Sequence, residues 1–173
     1  DLTGAPRDAQ PDIGAFEFVS VLNSAALVNV MNPAAGRLVP GTQPVSIRFA
    51  NLGTNVINNL QLSYQLGSAA AVTESWTGTL NPGDSTNYTF STALVVPNQI
   101  ITNLQFRAWV ANPNGQGDAD PANDTITRSN CVAIGAGTYT VGSSSSTFPS
   151  VQSWVSYLNC AGVAGPVTFN MDF

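Results

Sequence analysis

Three aspartates lie close together in one short segment, which is the strongest candidate for a metal site in this chain. Asp118, Asp120 and Asp124 occur in the phrase "DADPAND", in a stretch rich in glycine and asparagine. Carboxylate and amide oxygens in such a loop are the hard ligands that Ca²⁺ prefers. The alternative is a solvated loop ordered by Asx turns. The spacing differs from that of an EF-hand loop, because no glutamate closes its far end, and this favours the alternative.

The two cysteines, Cys131 and Cys160, are a second candidate pair. In an oxidising compartment an even cysteine count predicts a disulfide, here joining a predicted strand to the end of a predicted helix. Closing a loop of this size would stabilise the fold by about 3–4 kcal/mol in the chain-entropy model. The alternative is two buried free thiols, and thiol counting before and after reduction distinguishes them.

Residues for catalysis or cofactor binding are scarce. The chain has no histidine, so a Ser–His–Asp arrangement is impossible, and it has neither a G-x-S-x-G nor a P-loop phrase. Its acidic residues fall in different segments, and none points to a paired-carboxylate site. Trp76 and Trp109 could form a platform on which a sugar stacks, with core or junction packing as the alternative. We therefore expect no catalytic site, no cofactor-binding site and no enzyme activity.

Composition limits the partners and the compartment. Only 9% of residues are charged, the net charge is −5, and all five basic residues are arginine. A net negative charge gives no support for binding to a phosphate backbone, so we expect no nucleic-acid partner. The absence of lysine excludes Lys–Asn isopeptide cross-links. We find no signal peptide and no membrane-spanning run, and we expect no membrane insertion. A Thr/Asn/Ser-rich, weakly charged chain is typical of secreted bacterial fibres and adhesins.

Alternating apolar residues predict the elements that must position these candidates. Val45, Ile47 and Phe49 alternate with polar or small residues, and a similar alternation runs from Leu60 to Leu66. Pro-Gly turns separate such runs, as at Pro82. We predict an all-β fold, a seven-strand immunoglobulin-like β-sandwich over residues 21–134.

The residues of this stretch resemble those of a known family. The "N-x-G" at Asn51 and Gly53, the "L-x-P-G-x-S-x-x-Y" from Leu80 to Tyr88, and the "D-x-x-P-A-N-D-T" ending at Thr125 are similar to CARDB-like immunoglobulin-fold domains of bacterial surface proteins. The resemblance extends from about Ala25 to Val132. It implies a non-catalytic spacer or adhesive module.

Residues 1–20 resemble the last turn of a right-handed parallel β-helix. Such an ending hides the open edge of the solenoid, and Arg7 could lock the loop by pairing with a nearby carboxylate. The alternative is a polar linker that ends in a strand. The residues that carry the resemblance are Asp1, Gly4, Arg7, Asp12, Ile13, Gly14, Ala15 and Glu17.

Residues 135–173 resemble the beginning of a second parallel β-helix, as in surface proteins of Bacteroidota. The phrase "GTYTVG" predicts a strand, and "GPVTF" predicts the first rung. Between them, apolar residues from Phe148 to Leu158 recur at helical spacing and predict a short capping helix, with Thr147 as N-cap and Pro149 in its first turn. We expect the chain to belong to a longer parent protein of alternating modules.

Two hydroxyl residues lie in phrases that resemble the O-glycosylation acceptor of Bacteroidota. These are Ser85 in "DST" and Thr125 in "DTI". Asn87 and Asn123 also match the N-glycosylation sequon. An intact mass equal to that of the bare chain would exclude modification.

Together these observations predict a structural or adhesive module of a large extracellular, cell-surface or fibre protein. Its partners would be neighbouring modules, copies of itself or surface glycans. One alternative is a carbohydrate-binding accessory module of a β-helix polysaccharide-degrading enzyme. Another is a filament subunit whose terminal fragments complete one solenoid head to tail.

Overall fold

The structure is a computed structural model that describes residues 21–172. The predicted β-helix ending in residues 1–20 lies outside the described residues. The β-sandwich contains the first ten strands along the chain: β1 (Ala25–Asn32), β2 (Arg37–Leu38), β3 (Gly41–Gln43), β4 (Ser46–Asn51), β5 (Ile57–Leu66), β6 (Val72–Leu80), β7 (Ser85–Thr89), β8 (Leu94–Val96), β9 (Leu104–Ala111) and β10 (Thr125–Val132). Three elements follow: β11 (Gly137–Val141), α1 (Val151–Ala161) and β12 (Val167–Met171).

Two sheets of the sandwich lie face to face. One has the order β1-β4-β7, and the other has the order β2-β10-β9-β5-β6. All pairs are antiparallel except β2 with β10, and the short strands β3 and β8 pair separately. This division of consecutive strands between two sheets is that of an immunoglobulin-like sandwich.

The core of the sandwich follows the predicted alternation. Val45, Ile47 and Phe49 on or beside β4 are fully buried, and the apolar face of β5 from Leu60 to Leu66 is buried as well. Because β4 lies between β1 and β7, its small residues are also covered, and Arg48 alone on this strand is exposed.

The strand count differs from the predicted seven. The sandwich has seven strands of five or more residues. It also has three shorter strands, β2, β3 and β8. Two- or three-residue strands are too short to show an alternation, and tertiary pairing alone defines them. β2 joins the sheet through a parallel pairing of Arg37 with Cys131.

The last part of the described chain has a different geometry. β11 and β12 pair in parallel, from Gly137 opposite Val167 to Val141 opposite Met171. Isolated parallel bridges join Ile134 to Val163 and Val141 to Phe148. These elements enclose a second apolar core with α1. Its buried residues are Cys131, Ile134, Val141, Phe148, Tyr157 and Ala161.

The start of the helix corrects the prediction of Thr147 as N-cap. Ser150 is the N-cap, and its side chain forms a capping box with Ser153. Phe148 is extended because it precedes Pro149 and bridges β11, which delays the helix. Thr147 instead donates its backbone N–H to Thr140 Oγ1 at 2.9 Å. With eleven residues in α1, the described part of the chain holds no helix long and apolar enough to cross a membrane.

Candidate functional site

The acidic loop, residues 112–124, connects β9 to β10 and packs against the beginning of β1. Asp118 fastens it there. Its Oδ2 accepts a hydrogen bond from the backbone N–H of Ala25 at 2.7 Å, and its Oδ1 accepts one from Asp120 at 2.8 Å. The backbone N–H of Ala119 also donates to the carbonyl of Asn23 at 3.0 Å. The loop is therefore tied to the segment through which the chain enters the sandwich.

Asp120 orders the next turn of the loop. It is the N-cap of a short 3-10 helix, Pro121–Asn123, and it accepts from the backbone N–H of Ala122 at 3.4 Å. Its Oδ2 accepts from Nδ2 of Asn123 at 2.9 Å. Asp118 and Asp120 thus both act in the local turns that the alternative interpretation of this segment predicts.

Asp124 differs from these two residues because it is buried, with only 7% of the residue exposed. Its Oδ1 is buried and has no hydrogen-bond partner, and the same is true of Oδ1 of Asn123. Burial, together with the negative charges of Asp118 and Asp120, raises the pKa of Asp124 to about 7. Its backbone carbonyl accepts from the N–H of Val110 at 3.0 Å, which holds the residue at the start of β10.

The three aspartates of the predicted metal site therefore lie in one loop but have different environments. Asp118 and Asp120 accept hydrogen bonds within and beside the loop, whereas Oδ1 of Asp124 is buried without a partner. Within residues 21–172, no three acidic, histidine or cysteine side chains are already grouped to hold a metal ion. The carboxylates alone do not complete a coordination sphere. The sequence interpretation did not include the buried amide oxygen of Asn123, although this residue stands directly before Asp124.

A disulfide joins Cys131 to Cys160, with the two Cα atoms 5.9 Å apart. Cys131 is the next-to-last residue of the sandwich strand β10 and is buried, whereas Cys160 lies in the last turn of α1 and is exposed. The bond therefore connects the sandwich covalently to the C-terminal core. Tyr157 adds to this junction, because its hydroxyl reaches the backbone of Val132 and Ile101.

The glycosylation candidates occupy unlike positions. Ser85 is exposed at the start of β7, and its Oγ accepts hydrogen bonds from Arg48 at 2.7 and 3.1 Å. Thr125 is half-buried at the start of β10, opposite Trp109. Asn87 is exposed, whereas the amide of Asn123 is held by Asp120. Ser85 and Asn87 are thus the accessible members of this set.

The two tryptophans proposed as a sugar platform are both covered. Trp76 packs edge-on against Phe49, with ring centroids 5.3 Å apart. The guanidinium of Arg107 lies 4.7 Å above the ring of Trp109. Every aromatic side chain within residues 21–172 is at least partly buried. The described surface therefore has no exposed aromatic row of the kind that stacks on sugars.

An open cleft of about 520 Å³ lies at one end of the sandwich. Its lining is mostly apolar and contains no carboxylate, cysteine, histidine or arginine. The hydroxyl of Tyr64, which lines it, already donates to the carbonyl of Thr92 at 2.9 Å. The cleft has the volume of a small-molecule pocket, but its lining contains no acid–base pair.

Sequence reasoning missed a group of hydrogen-bond donors that surrounds the carboxylate of Glu74. Its two oxygens accept hydrogen bonds from the Tyr88 hydroxyl, the Ser91 N–H and hydroxyl, and the Thr92 N–H. Burial raises the pKa of Glu74, but these hydrogen bonds outweigh it and lower the pKa to about 2. The one available signal is an isolated glutamate within a strand, two residues before Trp76.

No protein-family model and no curated protein sequence matches this chain. Among solved structures, the chain is similar to the crystal structure of a CARDB domain from Pyrococcus furiosus in complex with di-metal ions. The identity is 14%, the match covers 70% of this chain and 99% of that one, and the TM-score is 0.49. A solution structure of a CARDB domain from the same organism matches with 16% identity, 65% and 96% coverage, and a TM-score of 0.47.

A third similarity is to a β-glucosidase from Listeria innocua in complex with glucose. The identity is 12%, the match covers 66% of this chain and 16% of that one, and the TM-score is 0.35. Likenesses of this size carry no inference about the ligand or the activity of this chain. Its own strand order identifies it as an immunoglobulin-like β-sandwich joined to a parallel strand pair.

Proposed function

We propose that this chain is a non-catalytic structural module of a large extracellular bacterial surface or fibre protein. The observation that carries the proposal is the junction between its two cores. The Cys131–Cys160 disulfide and the Tyr157 hydroxyl both connect α1 to the end of the sandwich. Disulfides persist in oxidising compartments, which supports an extracellular location. A connection of this kind suits a protein that must hold neighbouring modules in a fixed relation.

The C-terminal unit supports the idea that the parent protein alternates sandwiches with parallel β-helices. The parallel pairing of β11 with β12, and a helix packed on the same core, are features that the first coil of such a solenoid requires. Val167 and Phe169 on β12 are only half-buried. In this proposal a following coil covers them, and neighbouring modules of the same parent are the partners.

The proposed location can be tested on cells that produce the parent protein. Antibodies raised against this chain should label intact cells, and external protease should remove the signal. Labelling that requires permeabilised cells would contradict an extracellular surface module. Permeabilised cells serve as the positive control for the antibody.

The mechanical part of the proposal can be tested by pulling single molecules from their two ends. The disulfide should shield the residues between Cys131 and Cys160 from extension. Reduction should therefore lengthen the unfolded chain by about 100 Å. In oxidised molecules, the junction between the two cores should resist force at least as well as the sandwich. If the junction opened before the sandwich and gave no resolvable force peak, the proposed mechanical role would be contradicted.

The two alternatives have separate tests. The carbohydrate-binding alternative needs an exposed aromatic platform, and residues 21–172 offer none. Retention on a defined polysaccharide, lost on replacing Trp109 with alanine, would support it. The filament alternative would show concentration-dependent polymerisation of the isolated chain, whereas a stable monomer would exclude it.

A further inference from the structure

One edge of the strand β12 pairs with no other strand among residues 21–172, whereas its other edge pairs with β11. The carbonyl of Pro166 accepts from the N–H of Gly137 at 3.1 Å, and the N–H of Asp172 donates to the carbonyl of Val141 at 2.8 Å. In a parallel ladder, alternate residues of a strand bond to the same neighbour. The backbone groups of the intervening residues therefore face the free edge; these residues are Val167, Phe169 and Met171.

The side chains beside this edge form an apolar surface that is incompletely covered. The ring of Phe169 packs against Trp154 of α1, with centroids 4.9 Å apart, and Phe169 is still only half-buried. Met171, at the end of β12, is 50% exposed. On α1, Val151 and Val155 lie one turn apart and are 43% and 41% exposed. An exposed apolar stripe on the helix therefore accompanies the free edge of the strand.

This part of the chain carries no charge that would keep another strand away. Between Arg128 and Asp172 the sequence contains no acidic or basic residue. The carboxylate of Asp172 is directed elsewhere, because its Oδ2 accepts from the hydroxyls of Ser143 and Ser146 at 2.6 and 3.2 Å. Proteins commonly place charged residues on exposed edges to prevent pairing between chains. An uncharged edge with exposed apolar residues is therefore suited to pairing with another strand.

We propose that the free edge of β12 pairs with the same edge of a second copy of this chain. The far edge of β11 is covered at its end by Phe148, whose N–H donates to Thr140 and whose carbonyl accepts from Gly142. β12 is therefore the strand of this unit with all of one edge free. Two strands joined through the same edge are antiparallel and related by a two-fold axis. Phe169 then lies opposite Phe169 of the second copy.

This pairing provides partners for the free backbone groups and covers the apolar surface at the same time. Val167 and Met171 form hydrogen-bonded pairs with Met171 and Val167 of the second copy, on either side of the central Phe169 pair. Thr168 and Asn170 of the two copies lie opposite each other at non-hydrogen-bonded positions, where Cα atoms are about 4.5 Å apart. Because the two-fold axis is perpendicular to the sheet, both α1 helices lie on the same face of a four-stranded sheet.

The pairing does not depend on the extracellular location proposed above. A following coil in a longer parent protein would compete with the second copy for this edge, so the pairing is expected for the 173-residue chain itself. Its failure would leave the labelling of intact cells unchanged, and the two proposals are therefore tested separately.

Sedimentation equilibrium of the full chain, with its disulfide intact, measures the pairing. We expect a reversible monomer–dimer equilibrium with a Kd between about 1 μM and 1 mM. The limiting mass should be twice the 18.0 kDa of one chain. A monomer at every concentration up to about 1 mM would overturn the proposal. A mass that keeps growing beyond the dimer, as a filament requires, would overturn it as well.

A charge at the free edge should weaken the dimer. Met171→Lys places an ammonium group there, and we expect the Kd to rise at least about tenfold. Val95→Lys is the matched control, because Val95 is 70% exposed but lies on β8 of the sandwich. This control should leave the Kd unchanged. Equal weakening by both variants would indicate association through apolar surface in general and would contradict pairing at β12.

Introduced cysteines test the alignment of the two strands. Thr168→Cys and Asn170→Cys place thiols at exposed positions that lie opposite each other in the proposed pair. Mild oxidation of a mixture of the two variants should give a disulfide-linked dimer. Each variant alone should give at least about tenfold less, because the two thiols are then offset along the strands. Equal cross-linking with and without mixing would overturn the two-fold pairing, and this test remains decisive if Met171→Lys does not fold.

Discussion

The hydroxyl of Tyr157, on α1, donates a hydrogen bond to the backbone carbonyl of Val132, the last residue of β10, at 2.5 Å. The same hydroxyl accepts one from the N–H of Ile101 at 3.1 Å. Tyr157 is buried, and this burial raises its pKa, so the hydroxyl remains a donor at neutral pH. One side chain therefore joins the helix of the C-terminal core to two backbone segments of the sandwich.

Replacing Tyr157 with phenylalanine should destabilise the chain by about 1–3 kcal/mol. The ring still packs, but the buried Val132 carbonyl loses its donor and the partly buried Ile101 N–H loses its acceptor. Urea unfolding followed by tryptophan fluorescence measures the change. Tyr139→Phe is the matched control, because its hydroxyl bonds only to Gly135, within the same unit. An equal loss of unfolding free energy in both variants would mean that the hydrogen bonds of Tyr157 at the junction contribute no more to stability than that of Tyr139.

Breaking the disulfide should lower the free energy of unfolding by about 3–4 kcal/mol. Cys131 and Cys160 are 29 positions apart, and closing such a loop reduces the entropy of the unfolded chain. Because Cys160 is exposed, a soluble reductant should reach the bond without unfolding the chain. Urea midpoints measured with and without reductant test this. The double variant with both cysteines replaced by alanine should not respond to the reductant.

Glu74 should contribute stability that depends on pH. Its pKa in the folded chain, about 2, lies below the ordinary value of 4.5, so its contribution is complete above about pH 4.5. That contribution is lost as the pH falls towards 2. At pH 7 we expect Glu74→Gln to cost about 1.5–3 kcal/mol, the range for hydrogen bonds to a charged group.

Denaturant unfolding of wild type and Glu74→Gln between pH 7 and pH 2 checks this prediction. The difference in free energy of unfolding between the two proteins should narrow below about pH 4.5. Asp84→Asn is the control, because the carboxylate of Asp84 is exposed and accepts a side-chain hydrogen bond only from Asn81. If the difference in unfolding free energy between wild type and Glu74→Gln stayed constant with pH, the lowered pKa of Glu74 would be contradicted.

Asn51→Ala should destabilise the sandwich by about 3 kcal/mol. Asn51 is fully buried, and its Nδ2 donates to the carbonyls of Asn55 and Leu80 at 2.8 and 2.9 Å. Removing the amide leaves the buried Leu80 carbonyl and the partly buried Asn55 carbonyl without their donor. Thermal unfolding monitored by circular dichroism measures the effect. Asn87→Ala, at an exposed position on β7, should change stability by less than about 0.5 kcal/mol.

The phrase "N-x-G" shows how far local sequence reasoning reaches. A turn after Ala50 follows from Asn51 and Gly53 alone. The need for glycine does not, because it depends on the backbone of Leu22 and Ser24. A Cβ on Gly53 would lie 2.5 Å from the Leu22 carbonyl oxygen and 2.8 Å from the Ser24 nitrogen. These atoms are distant in the sequence, and only the folded chain brings them close.

The helix start and the short strands show the same limit. Apolar spacing predicts a helix near Trp154, but the contact between Phe148 and β11 decides that it begins at Val151. The pairing of β2 with β10 is likewise invisible in a two-residue segment. Competing tertiary contacts decide such boundaries, and local propensity is a weak guide to them.

The sequence by itself determined the all-β class and the buried faces of β4 and β5, because alternation along a strand is a local property. It also indicated the acidic loop and the cysteine pair as the places to examine. Only the tertiary structure decided that Asp124 is buried without a partner and that Tyr157 joins the two cores. The physical reason is that burial and hydrogen-bond partners depend on residues far apart in the chain, which meet only when the sheets and the helix pack together.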